Sequence, residues 1–342
     1  MAFDPRHVTP EITDPSASGH EAVVPSPLAD ISGAQRCSDG ARARADPLVG
    51  TAPPARRWLL IELEGRWLPT AIDSIGLRPE HRARLAAVAA KAQARVMLIR
   101  RVGRQPRGPA RSWCVLDDPA TAAGPVTTWG TWIVGEDLLR PADLLSRQAA
   151  SERRDLGPRP PQPPQLRDAE PELLLVCTHG RHDVCCAVRG RPVAAALAGE
   201  WPEATWECSH TGGDRFAANV IALPDGACYG GLDPDTAVTV LRRHVTGAPD
   251  TAYLRGRTGC APAAQAALLA VHRVLPEAAW GEISVAGMTS QGSTHTVRLR
   301  ADTSEFDVPV TEHVREPHQL TCAATSPNRA TVPVAGEVRR LS

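Results

Sequence analysis

Lysine is almost missing from this 342-residue chain: it occurs once, at Lys91, so 37 of the 38 basic residues are arginine. Phenylalanine and tyrosine are scarce too, with three and two copies. Beside abundant Ala, Pro and Arg, this pattern reads as the coding bias of a GC-rich genome rather than as a functional signal. Net charge is also lacking, since 38 acidic residues balance the 38 basic ones. A chain with no excess of either sign has no electrostatic pull toward nucleic acid or an anionic membrane surface. No apolar run approaches the roughly 18 residues that a membrane-spanning helix needs, so no membrane association is expected. Met1 to Pro15 is polar and has no apolar signal core.

Other absences concern chemistry. There is no Cys-x-x-Cys pair of the thioredoxin type. Gly212-Gly213 lacks the strand, GxGxxG and helix context of a dinucleotide fingerprint. Asp183, Glu207 and Asp214 occur, but no motif pairs them as the two carboxylates of a glycosidase. What the chain does have is nine cysteines, five of them between Cys177 and Cys228. An odd, clustered set does not look like a disulfide framework and fits metal-binding or redox thiols in the cytoplasm better.

The 42% apolar content supports ordinary cores, and the length allows two domains or three. Residues 1–50 lack apolar periodicity and read as a disordered tail that includes Cys37. Trp58 to Leu63, Val96 to Ile99, Trp113 to Leu116 and Thr128 to Val134 read as strands, with a helix from Pro79 and another from Glu136. Cys114, alone in this part, reads as a small packing residue. Five prolines between Gly157 and Gln165 mark a spacer, placed at 151–170. A second unit, 171–282, starts at the strand Leu173 to Val176. It continues with a helix opened by Pro192, strands at Thr205 to Cys208, Asn219 to Leu223 and Cys228 to Gly230, and a helix from Pro234. The expected fold class is therefore α/β: two thioredoxin-like units in tandem, 51–150 without cluster ligands and 171–282 with them. A small antiparallel β extension and a loose tail containing Cys322 fill 283–342.

The chemistry concentrates in Cys177-Thr178-His179-Gly180-Arg181-His182-Asp183-Val184-Cys185-Cys186 and in Cys208-Ser209-His210-Thr211-Gly212-Gly213-Asp214-Arg215-Phe216. The separation of Cys177 from Cys186 is too wide for a zinc finger and suits a loop wrapping a larger object, such as an iron–sulfur cluster. His210 and Asp214 flank two glycines, whose freedom to take positive φ lets both side chains face one iron. Cys208, Cys228 and Cys260 read as packing thiols, His179 and His182 as solvated loop histidines. Arg215 and Arg255 read equally as ion-pairing residues or as aids to a cluster.

These two segments, with Tyr253-Leu254-Arg255-Gly256-Arg257 and the Trp58 and Trp67 region, resemble the sucrase/ferredoxin-like family across about residues 50–285. The resemblance implies a thioredoxin-like protein carrying a 2Fe-2S cluster on two cysteines and two histidines. Cys177, Cys186 and His210 match the first three of those ligands. Asp214 stands where the family has its second histidine. Asp214 itself, Cys185 or Cys208 would then supply the fourth ligand, or the cluster has been lost.

The expected function is one-electron transfer or redox sensing with an unknown partner protein, rather than catalysis on a substrate of the chain's own. Exchanging thiolate for imidazole raises a cluster's potential, and a carboxylate partly restores the charge. A titrating histidine ligand would also make that potential depend on pH. Zinc bound by the same Cys/Cys/His/Asp set, or a metal-free thiol oxidoreductase, are the alternatives.

Overall fold

In the computed structural model, residues 36–103, 108–117, 127–152 and 172–341 are described. The chain is α/β, with one large mixed sheet and a separate antiparallel sheet. β1 (Arg57–Glu62) is buried on both faces except at its last residue, as its run of large apolar side chains dictates. It leads to α2 (Pro79–Lys91), which follows the short first helix α1 (Cys37–Ala43) in chain order, and then to β2 (Ala94–Arg101), parallel to β1. β3 (Arg111–Leu116) and β4 (Thr127–Trp132) extend the other side antiparallel, and α3 (Leu139–Glu152) closes the first half.

The second half repeats that plan. β5 (Leu173–Cys177), α4 (Val184–Glu200) and β6 (Thr205–Cys208) form a parallel pair with a helical crossover. β7 (Val220–Leu223) and β8 (Ala227–Tyr229) add antiparallel to β5, before α5 (Pro234–Val245) and a further edge strand, β9 (Leu254–Arg257). The two halves meet at antiparallel pairing of Ile99 to Arg101 with Trp206 to Cys208. A single nine-stranded sheet results, in the order β4-β3-β1-β2-β6-β5-β7-β8-β9.

Strand alternation distributes the core. Leu59 and Ile61 pack under α2 and α3 with Trp113 and Leu145. Leu174 and Val176 pack with Val193, Leu197 and Leu241 of α4 and α5. The opposite faces, Trp58 and Leu60 from one half and Leu173, Leu175 and Cys177 from the other, share one cluster with Cys114, Cys208 and Cys228. Arg57 is buried among these strands, held by Asp117 at 2.6 Å and by the Ala92 carbonyl at 2.9 Å. α6 (Pro262–Val274) then covers the second sheet, built from β10 (Ile283–Gln291), β11 (Thr294–Ala301), β12 (Ser304–Val314) and β13 (Thr331–Ala335), with β14 (Arg339–Arg340) beside β12. The antiparallel extension expected from the sequence is present. No helix among the described residues is long and apolar enough to cross a membrane.

Three local expectations are corrected. The helix after the cysteine-rich loop starts at Val184, not at Pro192, which lies inside it. The Asp183 side chain accepts the Cys185 N–H and caps the first turn there, so Pro192 only forfeits one later backbone bond. Cys37 does not belong to a disordered tail. It is buried in α1 against Cys185 and Ala217, in a helix of seven residues that is too short to show periodicity. Nor is the segment after Pro317 loose: His318 pairs with Asn328 and β13 joins the second sheet. Residues 1–35 of the expected tail, and all but the first two residues of the expected spacer, lie outside the described residues.

Candidate metal centre

Parallel strands with a helical crossover leave loops at their carboxyl ends, where α/β folds commonly place ligands. Cys177 ends β5 and Cys208 ends β6, directly across from one another in register. Gly190 lets α4 come close to this point: a Cβ there would stand 2.0 Å from the Cys177 carbonyl oxygen. Because α4 begins at Val184, Cys185 and Cys186 lie on a helical turn, their side chains about 100° apart around its axis. Cys186 faces Cys177; Cys185 faces Cys37 and Cys322.

The loop after β6 brings in the second pair. Ser209 exchanges bonds with the Leu98 backbone, at 2.8 and 3.0 Å, and pins the loop to β2. Arg95 donates to the His210 carbonyl at 2.6 Å. Gly212 and Gly213 both have positive φ. Arg255, buried, donates to the Gly212 carbonyl at 3.0 Å and to Asn219 at 2.8 Å, while Asn219 donates to the Gly213 carbonyl at 3.0 Å. This answers the open question about Arg255, which holds the loop by hydrogen bonds. Arg215 lies 3.7 Å from Asp46.

The result is a convergence of donors. One atom each of Cys177, Cys186 and His210 lie within 4.8 Å of one another, and so do one each of His182, His210 and Asp214. His210 Nδ1 stands 3.0 Å from Asp214 Oδ1, and Cys186 Sγ 3.3 Å from the same oxygen. Two buried thiols, a carboxylate and an imidazole whose Nδ1 is buried against that carboxylate form a donor set that suits a metal centre.

Protonation is divided within this set. Hydrogen bonding with Cys186, with His210 and with the backbone N–H groups of Thr211 and His179 holds Cys177 well below the usual thiol range despite its burial. Cys186, whose thiol donates to Asp214 Oδ1, is pushed up by the neighbouring Cys177 and by burial. Burial alone would lower the His210 pKa, but Asp214 and Cys177 override it and raise it to about 9. Burial opposes the Asp214 carboxylate as well, and His210 holds it below the usual range. A histidine whose folded pKa exceeds its unfolded value of about 6.5 stabilises the fold fully below that pH. His210's own contribution to the stability of the metal-free chain is therefore expected to fall as pH rises from about 6.5 through about 9, so the stability gap between the wild type and His210→Ala should narrow over that range. Thermal unfolding across this range checks it; an identical slope in both chains would rule it out.

Of the thiols proposed as fourth ligand, Cys185 turns away and Cys208 sits in the shared core, outside both donor groups. His182 is partly exposed, as expected of a solvated loop histidine, and its ring lies 3.7 Å from that of His210, centroid to centroid. His179 is buried, with Nε2 2.9 Å from the Leu68 carbonyl. Only the folded loop shows these placements, since a histidine in a polar segment carries no signal of its neighbours. Arg95 was missed for the same reason.

Gly213 should be intolerant. Its φ is +74°, and a Cβ would stand 2.4 Å from Arg255 Nη2. Gly213→Ala is expected to cost about 1–3 kcal/mol and to lower metal content by displacing His210 and Asp214. Denaturant titration with metal analysis measures both; wild-type values in each would contradict this account of the loop.

Comparison with known proteins finds a match to the family described as sucrase/ferredoxin-like, over residues 48–256. No curated protein and no solved structure matches the chain.

Proposed function

Since the chain belongs to the sucrase/ferredoxin-like family, we propose that it is a 2Fe-2S protein acting in one-electron transfer or redox sensing. The observation that carries this reading is the convergence of His210 with two buried thiols on one side and with Asp214 on the other. The donors fall into two sets that share His210: the thiols Cys177 and Cys186, and the harder pair formed by Asp214 with His182. Thiolate suits iron–sulfur chemistry best and imidazole is a good iron ligand, so a thiol side and an imidazole side fit a two-iron group. We read each half of the sheet as a thioredoxin-like unit. The repeated order β4-β3-β1-β2 and β8-β7-β5-β6 supports this.

When bound, such a cluster accepts and releases single electrons. The protein's part is to hold and tune it. Cys177 is already the favoured thiolate. The Thr211 and His179 N–H groups that bond its sulfur withdraw charge from it, and such bonds raise a cluster's potential. Arg95, half-buried near Cys177 and Cys208, adds a positive charge on the same side. His210 gives up its proton when it becomes a ligand. Asp214 or His182 completes the set; both stand beside His210.

One observation favours the zinc reading. The donor atoms of Cys177, Cys186 and His210 are close enough to surround a single ion, whereas ligands on opposite irons stand farther apart. Anaerobic purification with iron, sulfide and zinc analysis decides between them. Two irons and two sulfides per chain, with an EPR signal on reduction, support the cluster. A colourless chain with one zinc lost on Cys177→Ser refutes it. Asp214→Ala and His182→Ala, analysed alike, identify the fourth donor by which of them loses the metal.

A further inference from the structure

A second convergence of donors lies on the other side of the α4 N-terminal turn. Cys37 of α1, Cys185 of α4 and Cys322 of the C-terminal segment bring their sulfurs together from positions up to 285 residues apart. Their Sγ atoms form a near-equilateral triangle: 3.6 Å from Cys37 to Cys185, 3.3 Å from Cys185 to Cys322 and 3.5 Å from Cys322 to Cys37. The Asp183 carboxylate closes the fourth corner, with Oδ2 3.7 Å from Cys37 Sγ. One donor atom from each of the four residues lies within 4.8 Å of the others. Cys37, Asp183 and Cys185 are buried.

We propose that Cys37, Cys185, Cys322 and Asp183 form a mononuclear, tetrahedral site for a soft divalent cation of the zinc class, separate from the Cys177 centre. A metal–sulfur bond of about 2.3 Å in tetrahedral geometry sets the sulfurs about 3.8 Å apart. The observed triangle is within half an ångström of that on every edge. A disulfide would bring two sulfurs to about 2.0 Å and leave the third aside; here all three are free and nearly equidistant. The spacing is also too small for thiolates spread over a multi-iron cluster.

The surroundings fit thiolates. Cys322 Sγ accepts the Cys37 N–H at 3.5 Å, and Cys185 Sγ accepts the Ser38 hydroxyl at 3.2 Å and the Ser38 N–H. Arg189 donates to that hydroxyl at 3.0 Å and orients it toward the sulfur. Such outer contacts commonly fix metal ligands in place. Asp183 accepts the Cys185 N–H on Oδ1 at 2.8 Å and the Cys322 N–H on Oδ2 at 2.6 Å. Each oxygen keeps a second lone pair for a cation. Binding releases to solvent the protons that the thiols still hold and involves no change of oxidation state. With every corner taken by protein, the site is of the structural kind, and it ties the first helix and the C-terminal segment to the loop that carries Asp183.

The test uses the full chain isolated anaerobically and loaded with zinc chloride alone. Zinc K-edge absorption of Cys177→Ser should show three sulfurs and one oxygen, at one zinc per chain; the wild type should show the same shell, or its average with a second, His210-bound zinc if the Cys177 centre takes zinc too. Cys37→Ser and Cys322→Ser should each weaken that zinc more than tenfold against a competing chelator, while the iron and sulfide content of cluster-loaded protein stays at the wild-type level. A nitrogen in the zinc shell of Cys177→Ser, zinc retention unchanged in both variants, or a mass two hydrogens short from a Cys185–Cys322 disulfide would each overturn the proposal. In the wild type, a shell of two sulfurs with nitrogen at a single zinc per chain would overturn it even where a variant does not fold.

Discussion

Cys186→Ser is expected to abolish metal loading at the Cys177 centre. The Cys186 sulfur is completely buried, grouped with Cys177 and His210, and donates to Asp214 Oδ1 at 3.3 Å. Outer contacts of a metal ligand are already worth about 10–100-fold in affinity, and a direct thiolate should exceed that. Serine keeps the shape of the side chain but is a poor donor for a soft metal. The loss should therefore come without unfolding. Cys208→Ser and Cys228→Ser are the controls: both are buried thiols in the shared core, and burial pushes both above the usual thiol range. They should cost some stability and leave the metal in place. Metal analysis with far-UV circular dichroism reads the result. Normal loading in Cys186→Ser, or lost loading in a folded Cys208→Ser, would mean that the centre is elsewhere.

The second large effect concerns stability alone. Asp117→Ala should destabilise the chain by about 3–5 kcal/mol, the usual cost of removing one partner from a buried ion pair. Arg57 is buried at the start of β1 and held by Asp117 at 2.6 Å. Without that carboxylate its charge loses its closest compensation. At roughly 2–4 °C per kcal/mol for a sizeable domain, the melting temperature should fall on the order of 10 °C. Metal content should not change, because neither residue contributes to a donor group. Adding Arg57→Met to Asp117→Ala should recover most of the loss, since a buried ion pair is often no more stabilising than apolar residues of similar volume. A single variant that melts with the wild type would show that the pair is dispensable.

How much of this was legible depended on distance along the chain. Cys177, Cys186, His210 and Asp214 sit in two dense motifs, and the glycine pair announced a tight turn, so the approach of these donors to one another could be read before folding. The apolar runs of β1 and β5 and the β-branched stretches of the second sheet were equally plain. Pro192 misled because proline favours the first turn of a helix, and the Asp183 cap that overrides it is a polar residue within a polar loop. His182 gave no sign that its ring would lie tilted against that of His210. The triangle of Cys37, Cys185 and Cys322 was invisible. Its members are 148 and 137 residues apart, and two of them lie in segments without periodicity. The union of both halves in one sheet was hidden likewise, since β2 and β6 pair across about a hundred residues.

That union has a consequence for any attempt to divide the protein. Three residue pairs join β2 to β6, and each strand would become a bare edge if its neighbour were missing. Unpaired edges invite sticking to other chains. Fragments produced separately from 36–152 and 172–341 should precipitate or dimerise when alone. Mixed during refolding, they should find each other and restore one particle.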